Sequence, residues 1–373
     1  MNTFRKTILA AIILVGCMTT VKSQVKGLAE GIISSQDLFN TSMNASMVAS
    51  MKTSPSCYRI PSLLKAPNGD LIAAIDERNL SCDDLRTHKN INIVIRKSKD
   101  NGKTWSAIQT VIDFPFGISA SDPSMISDTQ TGTVFLFYNY MDVIKERNIY
   151  YIHVVKSTDN GETWSKPEDI TSQISKPEWK KDFKFVTSGK GTQTASGTLL
   201  HTLVNLNNGL HIFGSQDHGK TWFFKDTPIN PADESKIIEL NDGRWMINSR
   251  VNKLGMRVVH ISNDEGKSWV SRNEPDLIDP SCNGAIVRHQ SKKYGNLLLF
   301  SNPSSKSGRK NLTVKVSNDE GKTWTAGKTI YTGSAAYSDI EVLKNGDIGV
   351  FFEKEEYKEN VFVRFSMKWL MSK

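Results

Sequence analysis

Short apolar runs separated by glycine turns recur along most of this chain. In the first group, residues 60–66 are followed by a turn at Asn68-Gly69, a second run at 71–76, a third at 91–97 and a fourth at 106–113. Runs of this length bounded by Gly and Asn predict strands joined as hairpins. The turn signals return at Gly132, Gly197, Asn241-Asp242-Gly243, Gly295 and Asn345-Gly346, which gives six hairpins.

The third strand of five of these groups runs into one octapeptide, Ser-x-Asp-x-Gly-x-(Thr/Ser)-Trp. It begins at Ser98, Ser157, Ser215, Ser262 and Ser317 and ends at Trp105, Trp164, Trp222, Trp269 and Trp324. The starts lie 59, 58, 47 and 55 residues apart, the period of a small sheet rather than of a helical repeat. Each residue type contributes something local. Asp accepts N–H groups across a tight turn, Gly supplies positive φ, and Trp buries a ring against the sheet. The five aspartates therefore read as structural staples.

The sixth group has strands at 338–343, 347–353 and 361–366 and lacks a fourth. The segment at 31–40 precedes the first hairpin and belongs to no group, so it is the natural donor. A ring of sheets closed in this way leaves no open edge. The expectation is an all-β fold, a six-bladed β-propeller of four-stranded antiparallel blades sealed by an N-terminal strand, with a single domain over 24–373.

Composition changes this picture little. The formal charge of +8 comes from 47 Lys and Arg against 39 Asp and Glu, with basic residues scattered among acidic ones. No basic stripe or nucleic-acid fingerprint is present, so nucleic acid is not an expected partner. Residues 1–23 read as an export signal, with Arg5 and Lys6 ahead of an apolar run at 7–16 that is too short to span a bilayer. Leu14-Val15-Gly16-Cys17 matches a bacterial lipobox, which would lipidate Cys17, and cleavage after Ser23 is the competing reading. The expected address is the periplasm or a lipid-anchored position on the outer membrane, and the expected state is monomeric. Beyond the signal only Cys57, Cys82 and Cys282 remain, enough for one disulfide. The seven histidines show no ligand spacing, so neither a metal nor another cofactor is expected. Ser188-Gly189-Lys190-Gly191 lacks a phosphate-loop pattern and is expected to be a loop of the second blade.

The topology locates a site. In each hairpin the start of the first strand and the end of the second lie together, opposite the Gly turn. If the first strands line an axis, these positions from every group converge on one mouth, and the octapeptides fall on the other face. Before first strands come Arg59, Asp122, Glu234, Cys282-Asn283 and Tyr337; at or just after the ends of second strands come Arg78, Arg250, Arg309 and Glu353. Four arginines arriving at one place suit an anion, and their planar forks suit a carboxylate.

These residues carry a resemblance. Tyr58-Arg59-Ile60-Pro61 resembles the Arg-Ile-Pro motif of sialidases (neuraminidases), and the octapeptide resembles their Asp box. The resemblance covers essentially all of the chain after residue 55. It implies an exo-α-sialidase that hydrolyses terminal α-linked sialic acids from glycans, with retention of configuration. In that frame Arg59, Arg250 in Asn248-Ser249-Arg250, and Arg309 after Ser301-Asn302-Pro303 match the arginines that bind the sugar carboxylate. Tyr337 matches the nucleophile and Glu234 its partner. The acid/base falls in the loop after Arg78, where Asp83 and Asp84 are both candidates, with Asp84 preferred. Arg78 and Asp122 are expected to contact substrate, Asp122 with a turn-capping role as the rival reading, and Glu353 is expected to orient Arg59. A trans-sialidase would use the same residues, and a noncatalytic sialoglycan-binding propeller is the alternative of another class. The connections at 142–148 and 174–185 are expected to shape the aglycone side.

Overall fold

In a computed structural model of the protein, residues 27–41 and 57–372 are described; the expected export signal over 1–23, including Cys17, lies outside the described residues. Strands dominate, interrupted by two short helices, Thr171–Ile174 and Met367–Leu370, and a 3-10 turn at Pro177–Lys181.

The first sheet meanders through Cys57–Lys65, Leu71–Arg78, Ile91–Ser98 and Gln109–Ile112. The second runs through Ile118–Asp128, Thr133–Asp142, Tyr151–Ser157 and Glu168–Asp169. In the third, Lys184–Val186 and Thr192–Gln193 both pair with Leu199–Asn205, followed by Gly209–Ser215 and Phe223–Ile229. The fourth comprises Ser235–Glu239, Trp245–Ser249, Met256–Ser262 and Val270–Ile278. A seven-stranded sheet follows: Ala285–Ser291, Gly295–Pro303, Lys310–Ser317, the long strand Lys328–Val342, Ile348–Lys354, Glu359–Phe365 and finally Ser34–Asn40. That last strand pairs antiparallel with Glu359–Phe365, with Ser34 opposite Arg364 and Asn40 opposite Glu359.

The core lies between the faces of successive sheets, which is why the strands are apolar on both sides. Leu64, Ile72 and Ile93 of the first sheet meet Met125, Leu136 and Val155 of the second. Phe135 and Phe137 of the second meet Leu203, Phe213 and Trp222 of the third. Phe351 and Phe362 of the seven-stranded sheet, with Leu38 and Phe39, pack on Leu63, Leu71 and Val94 of the first. The arrangement is all-β and propeller-like.

The octapeptides behave as their chemistry requires. In the second of them Asp159 Oδ1 accepts the Thr163 N–H at 2.9 Å, Oδ2 accepts the Thr163 hydroxyl at 2.5 Å, and Ser157 Oγ accepts the Gly161 N–H at 2.8 Å. The glycine has φ of 82°, and its Cα faces Ile72 of the preceding sheet so closely that a Cβ would lie 2.8 Å from that side chain. This staple thus closes its own turn and abuts a neighbouring sheet, as do those at Gly102 against Phe362 and Gly219 against Phe135.

One expectation needs correction. Gly189–Lys190 does lie with the second sheet, but as a strand rather than a loop: it pairs in parallel with Ile118–Asp128, and Lys190 is buried with Nζ bonded to Glu341 at 2.8 Å. The stretch is an inner segment feeding the third sheet, and its glycine sits where a Cβ would press on Lys236 at 3.0 Å.

All five octapeptide aspartates are held down to about 2. In Asp159 and Asp264 the Thr163 and Ser268 hydroxyls are the largest cause; in Asp100, Asp217 and Asp319 partial burial opposes the shift and the turn hydrogen bonds outweigh it. Against an unfolded value of about 3.9, the depressed values give stability that is complete above about pH 4 and is lost as pH falls through about 2. Thermal melts from about pH 5 to about pH 2 are expected to show Tm falling through that window, and Asp159→Asn to reduce the fall. A flat wild-type profile would contradict it.

Candidate active site

Three first strands break register at equivalent places. Pairing slips between Arg59 and Ser62, between Ser121 and Ser124, and between Ala335 and Ser338. Ile60-Pro61, Asp122-Pro123 and Ala336-Tyr337 are left outside the ladder, and such bulges re-aim side chains. Ile60 and Asp122 adopt φ of 69° and 61°, an unfavourable region for a β-branched residue such as Ile.

Bulges free backbone N–H groups that must find acceptors. Fully buried carboxylates from second strands take them. Glu353 accepts Ile60 N–H at 2.9 Å through Oε1 and Tyr337 N–H at 3.1 Å through Oε2, while Asp76 Oδ1 accepts Asp122 N–H at 2.9 Å. Glu353 also receives Arg59 Nε at 2.7 Å, which fixes that guanidinium as expected from the sequence.

Arg250 Nη1 lies 2.5 Å from Glu234 and 3.2 Å from the Tyr337 hydroxyl, and Arg309 Nη2 donates to the Ser281 carbonyl at 3.0 Å. The Arg59 and Arg309 guanidinium carbons stand 6.0 and 5.2 Å from the Tyr337 ring centroid. Burial disfavours charge on Arg59 and Arg250, yet Glu353 and Glu234 override it and hold both arginines more firmly protonated than usual.

The Tyr337 hydroxyl donates to Glu234 Oε2 at 2.8 Å. Burial, then the Glu234 charge, pushes the phenol well above its ordinary range, and Arg250 and Arg309 pull the other way. A standing phenolate is therefore excluded near neutrality. Glu234 is the acceptor to which the hydroxyl proton is directed.

The loop after Arg78 is tied down at several points. Arg78 is fully buried, its Nη2 3.0 Å from Asp76, and its Nη1 reaches the carbonyls of Cys82 and Asp83 at 2.8 and 3.0 Å and Asp84 Oδ1 at 2.8 Å. A disulfide joins Cys82 to Cys57 at the start of the first strand, with Cα atoms 5.7 Å apart. The expectation that Arg78 contacts substrate is corrected, because it does not line the cavity. Each of its three guanidinium nitrogens bonds Asp76 or the loop, which gives Arg78 a supporting place behind the site. Asp84 lines the cavity with an exposed carboxylate, whereas Asp83 contributes no lining. Asp122 lines it too, and Asn139 Nδ2 donates to its Oδ2 at 2.9 Å. Burial, then the Asp76 charge, pushes Asp122 up to about 8 against Arg78 and Asn139, so this carboxyl holds its proton near neutrality.

Arg59, Asp84, Asp122, Glu234, Arg250, Arg309 and Tyr337 thus share one cavity of about 420 Å³. Its other wall is apolar, from Leu85, Tyr150, Phe183, Phe185 and Leu206, with Phe183 stacked on Tyr150 at 4.7 Å. The wider opening of about 1210 Å³ is lined at the turn ends of the first strands by Glu239 and others, and by none of the expected site residues.

Comparison with known proteins gives the family of the chain. The BNR repeat-like domain model matches residues 86–350. The chain belongs to the sialidase family that carries this domain. A sialidase of Micromonospora viridifaciens is 33% identical over 84% of this chain and 52% of its own length, and a sialidase of Bacteroides fragilis is 28% identical over 80% and 60%. The chain therefore spans little more than half the length of these two relatives. Among solved structures, a Hadza microbial sialidase superposes with a TM-score of 0.76 at 27% identity, covering 84% of this chain and 66% of that one. An intramolecular trans-sialidase from Ruminococcus gnavus gives 0.75 at 19% identity, covering 92% and 100%, which speaks for the fold alone.

For this sialidase-family chain, sequence reasoning missed Tyr357, Tyr150, Leu206 and the supporting acid Asp76. Asp76 reads as the unremarked end of an apolar run, and Tyr357 sits in the charged stretch Glu355-Glu356-Tyr357-Lys358-Glu359, which looks like a solvated turn. The one available signal was a lone aromatic in that turn. The central role of Glu353 has a direct test. Glu353→Ala strips Arg59 of its partner and leaves two bulge N–H groups unbonded, so it is expected to cost about 3–5 kcal/mol of stability in denaturant titration. A loss below about 1 kcal/mol would place the clamp elsewhere.

Proposed function

We propose that this chain is an exo-α-sialidase that hydrolyses terminal α-linked sialic acids from glycoconjugates with retention, using Tyr337 as nucleophile. The observation that carries the reading is the Tyr337–Glu234 hydrogen bond set among three arginines that line one cavity. Arg59, Arg250 and Arg309 receive the sugar carboxylate, and the apolar wall receives the uncharged side of the ring. Tyr337 Oη attacks the anomeric carbon while its proton passes to Glu234. Asp84 gives a proton to the leaving glycosidic oxygen. Water then attacks the tyrosyl-sugar bond with Asp84 as base, Tyr337 recovers its proton from Glu234, and two inversions amount to retention. A neutral phenol suits a substrate whose own carboxylate adjoins the reacting carbon, since an anionic nucleophile would be repelled there; sialidases are the known exception of this kind among glycosidases.

The scaffold reading belongs to the same proposal: one domain over 24–373 with six blades. In support, the long strand Lys328–Val342 pairs through its first half with Lys310–Ser317 and through its second half with Ile348–Lys354. The seven-stranded sheet then counts as two blades sharing one strand, with Ser34–Asn40 supplying the edge of the last. Gln36 Nε2 donating to the Gly102 carbonyl at 3.0 Å favours closure against the first sheet. Export and a lipid anchor at Cys17 rest on the leader motif alone.

Fluorophore release from an aryl α-sialoside tests the mechanism. Tyr337→Phe is expected to lose at least about 10³-fold in kcat/KM. Asp84→Ala is expected to lose about 10²-fold or more on sialyllactose and far less on the aryl substrate, whose leaving group needs little protonation. A larger loss for Asp83→Ala would move the acid by one residue. Wild type that binds sialic acid without turnover would point to a glycan-binding propeller.

A further inference from the structure

One aromatic residue at this mouth has no place in the mechanism above. Tyr357 belongs to a turn in which Glu355, Glu356 and Tyr357 take φ of 50°, 54° and 73°, the only run of three positive-φ non-glycine residues among the described residues. Side chains disfavour that conformation, so the surroundings must hold it. Ser334 does so: its carbonyl accepts Glu355 N–H at 3.0 Å and its Oγ accepts Glu356 N–H at 3.4 Å. The Tyr331 hydroxyl grips the Glu355 carboxylate from below. Turned inward by this left-handed run, Tyr357 packs on Ile60, Ala336 and Tyr337 and lines the cavity.

What the side chain touches is the arginine cluster. The Arg59 guanidinium carbon lies 3.8 Å from the Tyr357 ring centroid, and Arg309 Nη1 lies 3.4 Å from the Tyr357 hydroxyl. Arg59 Nε is already committed to Glu353, so a ring against its face leaves the Nη edge as the free donor edge. Arg309 has Nη2 on the Ser281 carbonyl, and the phenol oxygen limits the swing of its other arm. Two guanidiniums so close repel each other when no anion is bound. A ring face for one and a hydroxyl oxygen for the other offset that repulsion and fix their relative orientation.

We propose that Tyr357 is a positioning residue that bridges Arg59 and Arg309 and sets this site's selectivity for a planar carboxylate over its neutral ester. The inference rests on the sialidase reading of the site. A carboxylate bound in paired hydrogen bonds needs both forks held in register, whereas an ester accepts weakly and gains little from that order. Tyr357 acts through the arginines and not on the reacting atoms, so its effect belongs in binding rather than in the chemical step.

The experiment uses the full chain with Tyr357→Phe, Tyr357→Ala and Tyr357→Leu, the last filling the space without a ring should the alanine variant not fold. KM and kcat are measured on an aryl α-sialoside, and calorimetry compares 2-deoxy-2,3-dehydro-sialic acid with its methyl ester. Loss of the ring is expected to raise KM about 10-fold with kcat within about 3-fold, and to narrow the acid-to-ester affinity ratio by about 10-fold, while Tyr357→Phe, which keeps the ring on Arg59 and loses only the hydroxyl contact to Arg309, falls between wild type and those variants on both readouts. An unchanged acid-to-ester ratio in a folded Ala or Leu variant overturns the inference. So does an equal loss for acid and ester, the mark of mere packing. Wild type that neither cleaves the sialoside nor binds the acid overturns the sialidase reading itself, and this inference with it.

Discussion

The carboxylate of Glu353 is the contact on which this site depends. It is fully buried, and a buried anion is tolerable only if its lone pairs are answered. Here they are answered by Arg59 and by the backbone N–H groups of Ile60 and Tyr337. Those N–H groups are free only because two strands bulge, and the bulges turn Tyr337 and the Arg59 segment toward the mouth. One ion therefore joins two strands far apart in sequence and fixes both Arg59 and the Tyr337 backbone at the mouth. Asp76 repeats the device on the neighbouring side, tying Asp122, Ser121 and Arg78 together.

The electrostatics that follow are divided in sign. Arg59, Arg250 and Arg309 face the cavity from one side, while Glu234, Asp84 and Asp122 bring carboxyls to it. Arg59 is paired through Nε with Glu353, and Arg250 through Nη1 with Glu234 and through Nε with Asn252. Tyr337 stands where the two sets meet, bonded to Glu234 and 3.2 Å from Arg250. Burial and the Glu234 charge keep its proton hard to remove, and Glu234 is the acceptor bonded to it.

The octapeptides supply rigidity away from the chemistry. Their aspartates close turns at the ends of third strands, and several of their glycines and tryptophans press on adjacent sheets, as Trp222 does against Phe135 and Phe137 at 5.6 and 5.1 Å. A frame braced between its sheets in this way can carry strained residues such as Ile60 and Asp122 on the mouth. No octapeptide residue lines the site cavity.

Local pattern alone determined the strands, the turns, the staples and the candidates at strand ends, because hydrophobic period, Gly-Asn turns and the octapeptide are properties of neighbours in the chain. The convergence of Arg59, Arg250, Arg309, Tyr337 and Glu234 was also legible, since hairpin geometry dictates which strand ends lie together. Whether a polar residue at such an end faces the cavity or the interior was not. Arg78 and Arg59 look alike in sequence, yet Arg78 is buried on Asp76 and the loop while Arg59 lines the cavity. Asp83 and Asp84 are adjacent and identical, and only the course of the loop between the disulfide and Arg78 turns Asp84 to the site. Tyr357 escaped notice because a left-handed turn, held by Ser334 from another strand, decides where its ring points. Side-chain direction at a bulge or turn depends on which distant groups accept the freed N–H groups, and those partners exist only once the sheets have assembled.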